Sequence, residues 1–229
     1  MRTKGADFGS GALTLMSVVI VDYGVGNLLS AKRAFAHCGA EVVLSGDPDK
    51  ISRAERLVLP GVGAFAHCMR QLQFSGLVEP LRQFISTGRP LLGICVGMQI
   101  LFEGSNEFGQ HLGLGLIPGV IERIPETDTS GAIHKVPHVG WNALRNPPEA
   151  NDDRWSGSIL KGFPSGGEVY FVHSFTAWPR DVRDRLADAA YGGRRISAVV
   201  QRENIYGTQF HPEKSGPLGL GIIESFLVL

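Results

Sequence analysis

The stretch Gly93-Ile94-Cys95-Val96-Gly97 sets a thiol between two glycines, directly behind the apolar pair Leu91-Leu92. Gly-x-nucleophile-x-Gly between a strand and a helix is the pattern of a nucleophile elbow. The spacing has a steric cause: a nucleophile lifted out of a strained turn needs small flanking residues so that the backbone can fold tightly around it. The same turn brings the backbone N–H of Val96 toward the sulfur, where it would favour a thiolate and later an oxyanion. A buried cysteine in a tight β–α turn fits this stretch equally well, because free cysteine is among the most buried residue types. A thiol nucleophile needs a base. Of the seven histidines, His211 alone stands in a charged frame, Gln209-Phe210-His211-Pro212-Glu213. If that segment is extended, His211 and Glu213 share a face, and a carboxylate that orients an imidazole completes a cysteine–histidine–acid triad. An end-of-strand histidine beside a solvated glutamate would leave the same pattern. Metal binding is a weaker rival, since His37, His67, His111, His134, His138 and His173 show neither an HExxH spacing nor an accompanying cysteine pair.

The elements that must position these groups read as repeated strand–turn–helix units. Val18–Val21 is an apolar run ending in a Gly24–Asn27 loop. A helix carrying Leu28, Ala31, Phe35 and Cys38 follows and stops at Gly39. Strands are expected at Glu41–Leu44, at Arg56–Leu59 (closed by Pro60-Gly61-Val62-Gly63) and at Pro90–Ile94, with a helix over Leu77–Thr87. The next helix is expected to begin over Met98–Phe102. Beyond about Gly104, short strands at Val120–Ile124, Val169–Val172, Ile196–Val200 and Gly207–Phe210 are broken by glycine and proline. Arg145–Gly167 reads as surface loops and Gly219–Leu229 as a closing helix. The expected fold is α/β: a single domain with a mixed, mostly parallel central sheet flanked by helices, in the flavodoxin-like manner.

A chain of 229 residues at 43% hydrophobic buries a full core, and equal numbers of basic and acidic residues, 22 of each, argue against a nucleic-acid surface. Three cysteines without close pairing point to a reducing compartment. No apolar run reaches the length of a membrane span. Ala12–Val21 lacks a small-residue cleavage site, so residues 1–15 are expected to be a loose leader, 16–229 the domain, and the protein cytoplasmic.

Seven blocks then carry a resemblance. "DYGVGNLLS", "LPGVGAF", "GICVGMQILFEGSNE", "GLGLIPG", "KVPHVGWN", "VYFVHSF" and "GTQFHPEKSG" run in order from Asp22 to Gly216. They resemble the class I glutamine amidotransferases and, within these, the glutaminase subunits of imidazole glycerol phosphate synthase. The resemblance implies that Cys95, deprotonated by His211 with Glu213 orienting the imidazole, attacks the carboxamide of L-glutamine, releases ammonia and leaves a glutamyl thioester for water to hydrolyse. It implies an oxyanion hole from Val96 and the Val62-Gly63 loop. It also places the substrate against Gln99, Glu107 (receiving the α-ammonium) and the strand end His173-Ser174-Phe175. Asn27, Pro137, Trp141, Tyr170 and Lys214 are implied to face a cyclase subunit, a (β/α)8 barrel, in a heterodimer that passes ammonia to a ribulosyl-aminoimidazole carboxamide phosphate. No cofactor and no metal are implied, and neither nucleic acid nor membrane is an expected partner. The rivals are another class I amidotransferase, such as a pyridoxal phosphate synthase glutaminase or an anthranilate synthase component, a stand-alone cysteine hydrolase, and a binding subunit with an unused triad. "DYGVGN" and "PHVGWN" favour the histidine pathway.

Overall fold

The computed structural model describes residues 16–149 and 152–229, so the leader expected at residues 1–15 lies outside the described residues. Strands β1 (Ser17–Val21), β2 (Glu41–Ser45), β3 (Leu57–Gly61) and β4 (Leu91–Cys95) run parallel, in the lateral order β4-β3-β1-β2. They are linked by helices α1 (Leu28–His37), α2 (Pro48–Arg53), α3 (Phe65–Phe74) and α4 (Val78–Ser86). After β4 come a single turn, α5 (Val96–Gln99), then β5 (Phe102–Ser105), β6 (His111–Leu112), β7 (Ile117–Arg123), β8 (His138–Ala143), β9 (Glu168–His173) and β10 (Phe175–Pro179). The chain closes with β11 (Arg185–Tyr191), β12 (Arg194–Arg202), β13 (Ile205–Thr208) and α6 (Gly216–Leu227). β13 returns to lie parallel against β4, and β12 and β11 extend that edge antiparallel. The result is the expected mixed, mostly parallel sheet of seven strands. A smaller sheet, β10-β7-β5-β6, and an antiparallel ribbon, β8-β9, flank it.

The strands form where the sequence is apolar on both faces. Val18, Ile20 and Val21, and Leu57, Val58 and Leu59, are buried almost completely, as a parallel sheet covered by helices requires. α1 turns Ala31, Ala34 and Phe35 inward, and Phe35 meets Phe226 of α6 edge-on at 6.2 Å between ring centres. α2, which the sequence reading leaves out, is set by its ends: Pro48 opens it and the Asp47 carboxylate accepts from the Asp49 N–H at 2.9 Å.

Three expectations are corrected. The helix expected to begin over Met98–Phe102 is instead the four-residue α5, and Phe102 already starts a strand. The carbonyls that a longer helix would use are taken from outside: those of Ile100, Leu101 and Phe102 accept from the N–H groups of Leu114, Leu116 and Gly115. Arg145–Gly167 is irregular, but not all of it is surface, because Ile159 and Leu160 are fully buried in the core. β13 ends at Thr208, so Gln209 and Phe210 belong to the crossing that follows it. Among the described residues no helix is long and apolar enough to cross a membrane.

Candidate active site

Three neighbouring parallel strands, β3, β4 and β13, deliver their carboxyl ends to one place, the position where an open α/β sheet offers a crevice. In register, Gly61 lies beside Cys95 and Thr208 beside Ile94. Past those ends lie the Val62-Gly63 loop, the elbow, and Gln209–His211.

The elbow is built as the residue types require. Cys95 has φ 55° and ψ −113°, a left-handed backbone that a side-chain-bearing residue adopts only under strain. The glycines around it are locked into one another. A Cβ on Gly97 would fall on the Leu59 carbonyl, and one on Gly93 would stand 2.8 Å from the Gly97 carbonyl oxygen and the Met98 backbone. The backbones of β3, β4 and α5 therefore approach more closely than any side chain allows.

Cys95, Val96, Val62, Gly63, Gln99, Glu107, Pro137, His173, Ser174, Phe175 and His211 all line a single cleft of about 330 Å³. His211 faces the Cys95 sulfur and bonds through Nδ1 to Glu213 Oε1 at 2.8 Å. The expected extended geometry holds only as far as His211. Glu213 sits in a 3₁₀ turn, Pro212–Lys214, that curls its carboxylate back behind the ring. Burial opposes the imidazolium, but the Cys95 sulfur and the Glu213 carboxylate outweigh it and push His211 up to about 9. An imidazole held against a thiol in this way is placed to take up the thiol's proton.

The remaining sequence-predicted residues fall into distinct places. The Val62 carbonyl accepts from Cys68 Sγ at 3.4 Å, so a trans peptide directs the Gly63 N–H to the opposite side. Glu107 lies in the turn after β5. Its Oε2 accepts the Phe65 N–H at 2.6 Å at the start of α3, leaving Oε1 for the cleft. Gln99 gives both hydrogens of Nε2 inward, to the Phe175 carbonyl (3.1 Å) and to Gln209 Oε1 (3.0 Å), so its Oε1 is what it can offer a carboxamide NH₂.

His138, which the sequence reading sets aside, is cross-strand to His173, and its Nδ1 stands 3.0 Å from His173 Nε2. Burial, with a smaller contribution from His134, lowers His138 to about 4, and burial lowers His173 to about 3, so both rings are neutral. Gln209 was missed as well, although its place two residues before His211 is the signal that both side chains leave that segment on related faces. Among the described residues no three His, Cys, Asp or Glu side chains converge on a point that could hold a metal.

The residues expected at a partner face gather on the rim beside this cleft. Trp141, 54% exposed, pairs across the ribbon with Tyr170, their rings edge-on at 6.0 Å. The Tyr170 carbonyl accepts the His211 N–H and its own N–H bonds Ser215 Oγ, which ties the ribbon to the turn that carries exposed Lys214. α1, which Asn27 precedes without a side-chain capping bond, packs against that turn, and exposed Pro137 lies at the cleft's mouth.

Residues 19–228 match the family described as Glutamine amidotransferase class-I. The chain is 53% identical over 213 residues to the imidazole glycerol phosphate synthase subunit HisH 1 of Legionella pneumophila (strain Lens), covering 93% of this chain and 99% of the relative. It is 46% identical over 210 residues to the corresponding HisH subunit of Syntrophotalea carbinolica, covering 91% and 98%. Among solved structures, PurLQS from Thermotoga maritima matches in fold with a TM-score of 0.66 at 22% identity, covering 93% of this chain and 97% of that one.

Proposed function

The chain belongs to the class I glutamine amidotransferases and, within them, to the glutaminase subunits of imidazole glycerol phosphate synthase, and on that premise we propose that Cys95, His211 and Glu213 carry its chemistry. The activity is hydrolysis of L-glutamine to glutamate and ammonia for histidine biosynthesis. The observation that carries the residue assignment is the strained elbow cysteine facing an imidazole whose pKa is pushed up by that sulfur and by the buried Glu213 carboxylate bonded to its Nδ1.

In this reading the Cys95 thiolate adds to the carboxamide carbon of glutamine. The negative charge on the carboxamide oxygen is met by the Val96 N–H and by an N–H of the Val62-Gly63 loop. The His211 imidazolium gives its proton to the departing nitrogen, the C–N bond breaks, and ammonia leaves a glutamyl thioester on Cys95. The now neutral imidazole takes a proton from water, whose oxygen adds to the thioester carbon. Collapse of that adduct expels the thiolate and glutamate, and His211 is again protonated. Glu213 keeps the imidazole oriented throughout. Glu107, with one oxygen fixed by the Phe65 N–H, receives the α-ammonium, and Gln99 Oε1 accepts from the carboxamide NH₂. The backbone of His173-Ser174-Phe175 lines the other wall.

The partner is a cyclase subunit, a (β/α)8 barrel, docked as a heterodimer on the face formed by Asn27, Pro137, Trp141, Tyr170 and Lys214. Ammonia in bulk water becomes ammonium and loses its nucleophilicity, so release next to the consuming subunit suits the chemistry. The cyclase uses it to make imidazole glycerol phosphate and aminoimidazole carboxamide ribotide. The test is glutamate release from glutamine, measured with the protein alone and with a cyclase subunit and its nucleotide substrate. A weak rate alone, strong stimulation in the complex and no activity in Cys95→Ala are expected. Equal rates with and without the cyclase would sink the partnered reading, and activity in Cys95→Ala would remove the nucleophile.

A further inference from the structure

Gln209 is completely buried, and its amide touches the reacting atom: Nε2 lies 3.8 Å from Cys95 Sγ. A buried amide is costly unless its polar atoms are paired, and here each end has a partner. The direction in which this amide points decides whether the sulfur sees a donor or an acceptor, and the surroundings fix that direction.

The Phe175 carbonyl can only accept. Gln99 therefore turns its NH₂ toward it, and the second hydrogen of the same nitrogen goes to Gln209. Gln209 must then present Oε1 to Gln99, which leaves its own NH₂ facing the sulfur. The same carbonyl accepts from His173 Nδ1 at 2.8 Å, so His173 Nε2 is the ring's acceptor and His138 Nδ1 carries the hydrogen between the two rings. His138 Nε2 in turn accepts from Asn142 Nδ2 at 3.3 Å, and that amide also donates to the Ala190 carbonyl at 2.8 Å. Two chains of bonds thus end on one backbone oxygen. Reversing the amide at Cys95 would set the NH₂ groups of Gln209 and Gln99 against each other, and turning Gln99 to relieve that would cost its bond to the Phe175 carbonyl.

We propose that Gln209 is a positioning residue for Cys95, a fixed N–H donor that holds the sulfur and stabilises its negative charge. The proposal rests on Cys95 being the nucleophile, and it adds to the triad a donor of a different kind. His211 must surrender its proton during each turnover, whereas an amide N–H stays in place in every state. It therefore favours the thiolate both before attack and as a leaving group when the thioester is cleaved.

The experiment is alkylation of Cys95 by iodoacetamide across pH, followed at the Cys95 peptide by mass spectrometry so that Cys38 and Cys68 do not interfere. Gln209→Met keeps the volume and removes the donor. Its alkylation is expected to slow about 10-fold below neutrality, equivalent to an upward move of about one pH unit in the midpoint. In glutamine hydrolysis kcat falls with KM little changed. Gln99→Met, which leaves Gln209 in place but frees its amide to turn, is expected to shift the alkylation profile the same way by a smaller amount. An unchanged or accelerated profile in a folded Gln209→Met protein overturns the proposal. If that variant does not fold, an unchanged profile in Gln99→Met overturns it instead. Failure of the underlying reading looks different: Cys95→Ala would then still hydrolyse glutamine.

Discussion

At the scale of single residues, the site works through charge held by short contacts. His211 would lose its proton on burial alone, and it keeps it because a sulfur and a carboxylate face it. That makes Glu213 responsible for more than orientation. In Glu213→Gln one of the two interactions that raise His211 is removed, so His211 titrates below its present value of about 9 and the alkaline limb of the glutaminase pH profile moves down. The rate at neutral pH is expected to fall on the order of 100-fold or more, as when the orienting acid of a triad is neutralised. A profile measured from about pH 6 to 10 checks both. Unmoved limbs with a reduced rate would mean that Glu213 only shapes the turn. The sign for stability is the same: a raised folded pKa contributes stability that is complete below the ordinary value of 6.5 and lost as pH rises through about 9.

At the scale of elements, the site depends on backbones approaching without side chains and on two histidines sharing a hydrogen. The fit of Gly97 against the Leu59 carbonyl lets β3 reach the elbow, and that of Gly93 against Gly97 and Met98 closes the turn. The ribbon β8–β9 has a different dependence. Its His138 and His173 stay neutral when folded, at about 4 and about 3, but take up protons near 6.5 when unfolded. Between those values the unfolded chain binds more protons, so stability falls as pH falls from about 6.5 toward 4. His138→Phe keeps a ring to stack on Tyr191 and Phe171 but removes one of the two groups, so the slope of Tm against pH in that window is expected to halve. Thermal melts from pH 4 to 7 on both proteins would show it, and an unchanged slope would mean that other groups set the acid limit.

The elbow and the His211–Glu213 pair were candidates from residue types at short spacing, but that spacing fitted a buried cysteine and a solvated glutamate equally well. It was the resemblance carried by seven blocks that joined Cys95 to His211 far along the chain. The strand alternation up to Cys95 was legible locally, with apolar runs punctuated by glycine. The fate of Ile100–Phe102 was not, because a run buried on every side carries no period, and the carbonyls that end α5 are claimed by residues 114–116. Nor was the pairing of His138 with His173, 35 residues apart, which is a matter of cross-strand register. Gln209 escaped for the plainest reason: which end of an amide meets the sulfur is decided by Phe175, far along the chain.

At the scale of the whole molecule, two features of the surface bear on assembly. The formal net charge is zero, so no strong overall field steers a partner from a distance. Beside the mouth of the cleft stands a half-exposed tryptophan backed by a tyrosine, and buried aromatic anchors are where binding energy concentrates in interfaces. Docking of a cyclase subunit on this face is therefore expected to depend on Trp141 far more than on ionic strength. Trp141→Ala should cost about 2 kcal/mol of association, about 30-fold in Kd, because its ring is the largest apolar group on the rim. Lys214→Ala, which removes a single exposed charge, should cost less and should mainly reduce what salt dependence there is. Titration calorimetry of each variant against the cyclase at low and high salt separates the two effects. Trp141 contacts Tyr170 only edge-on at 6.0 Å and supports little of the core, so the variant's thermal midpoint should stay near that of the parent. A Trp141→Ala protein that binds as tightly as the parent would move the docking face elsewhere, and with it the reason for the cleft to open where it does.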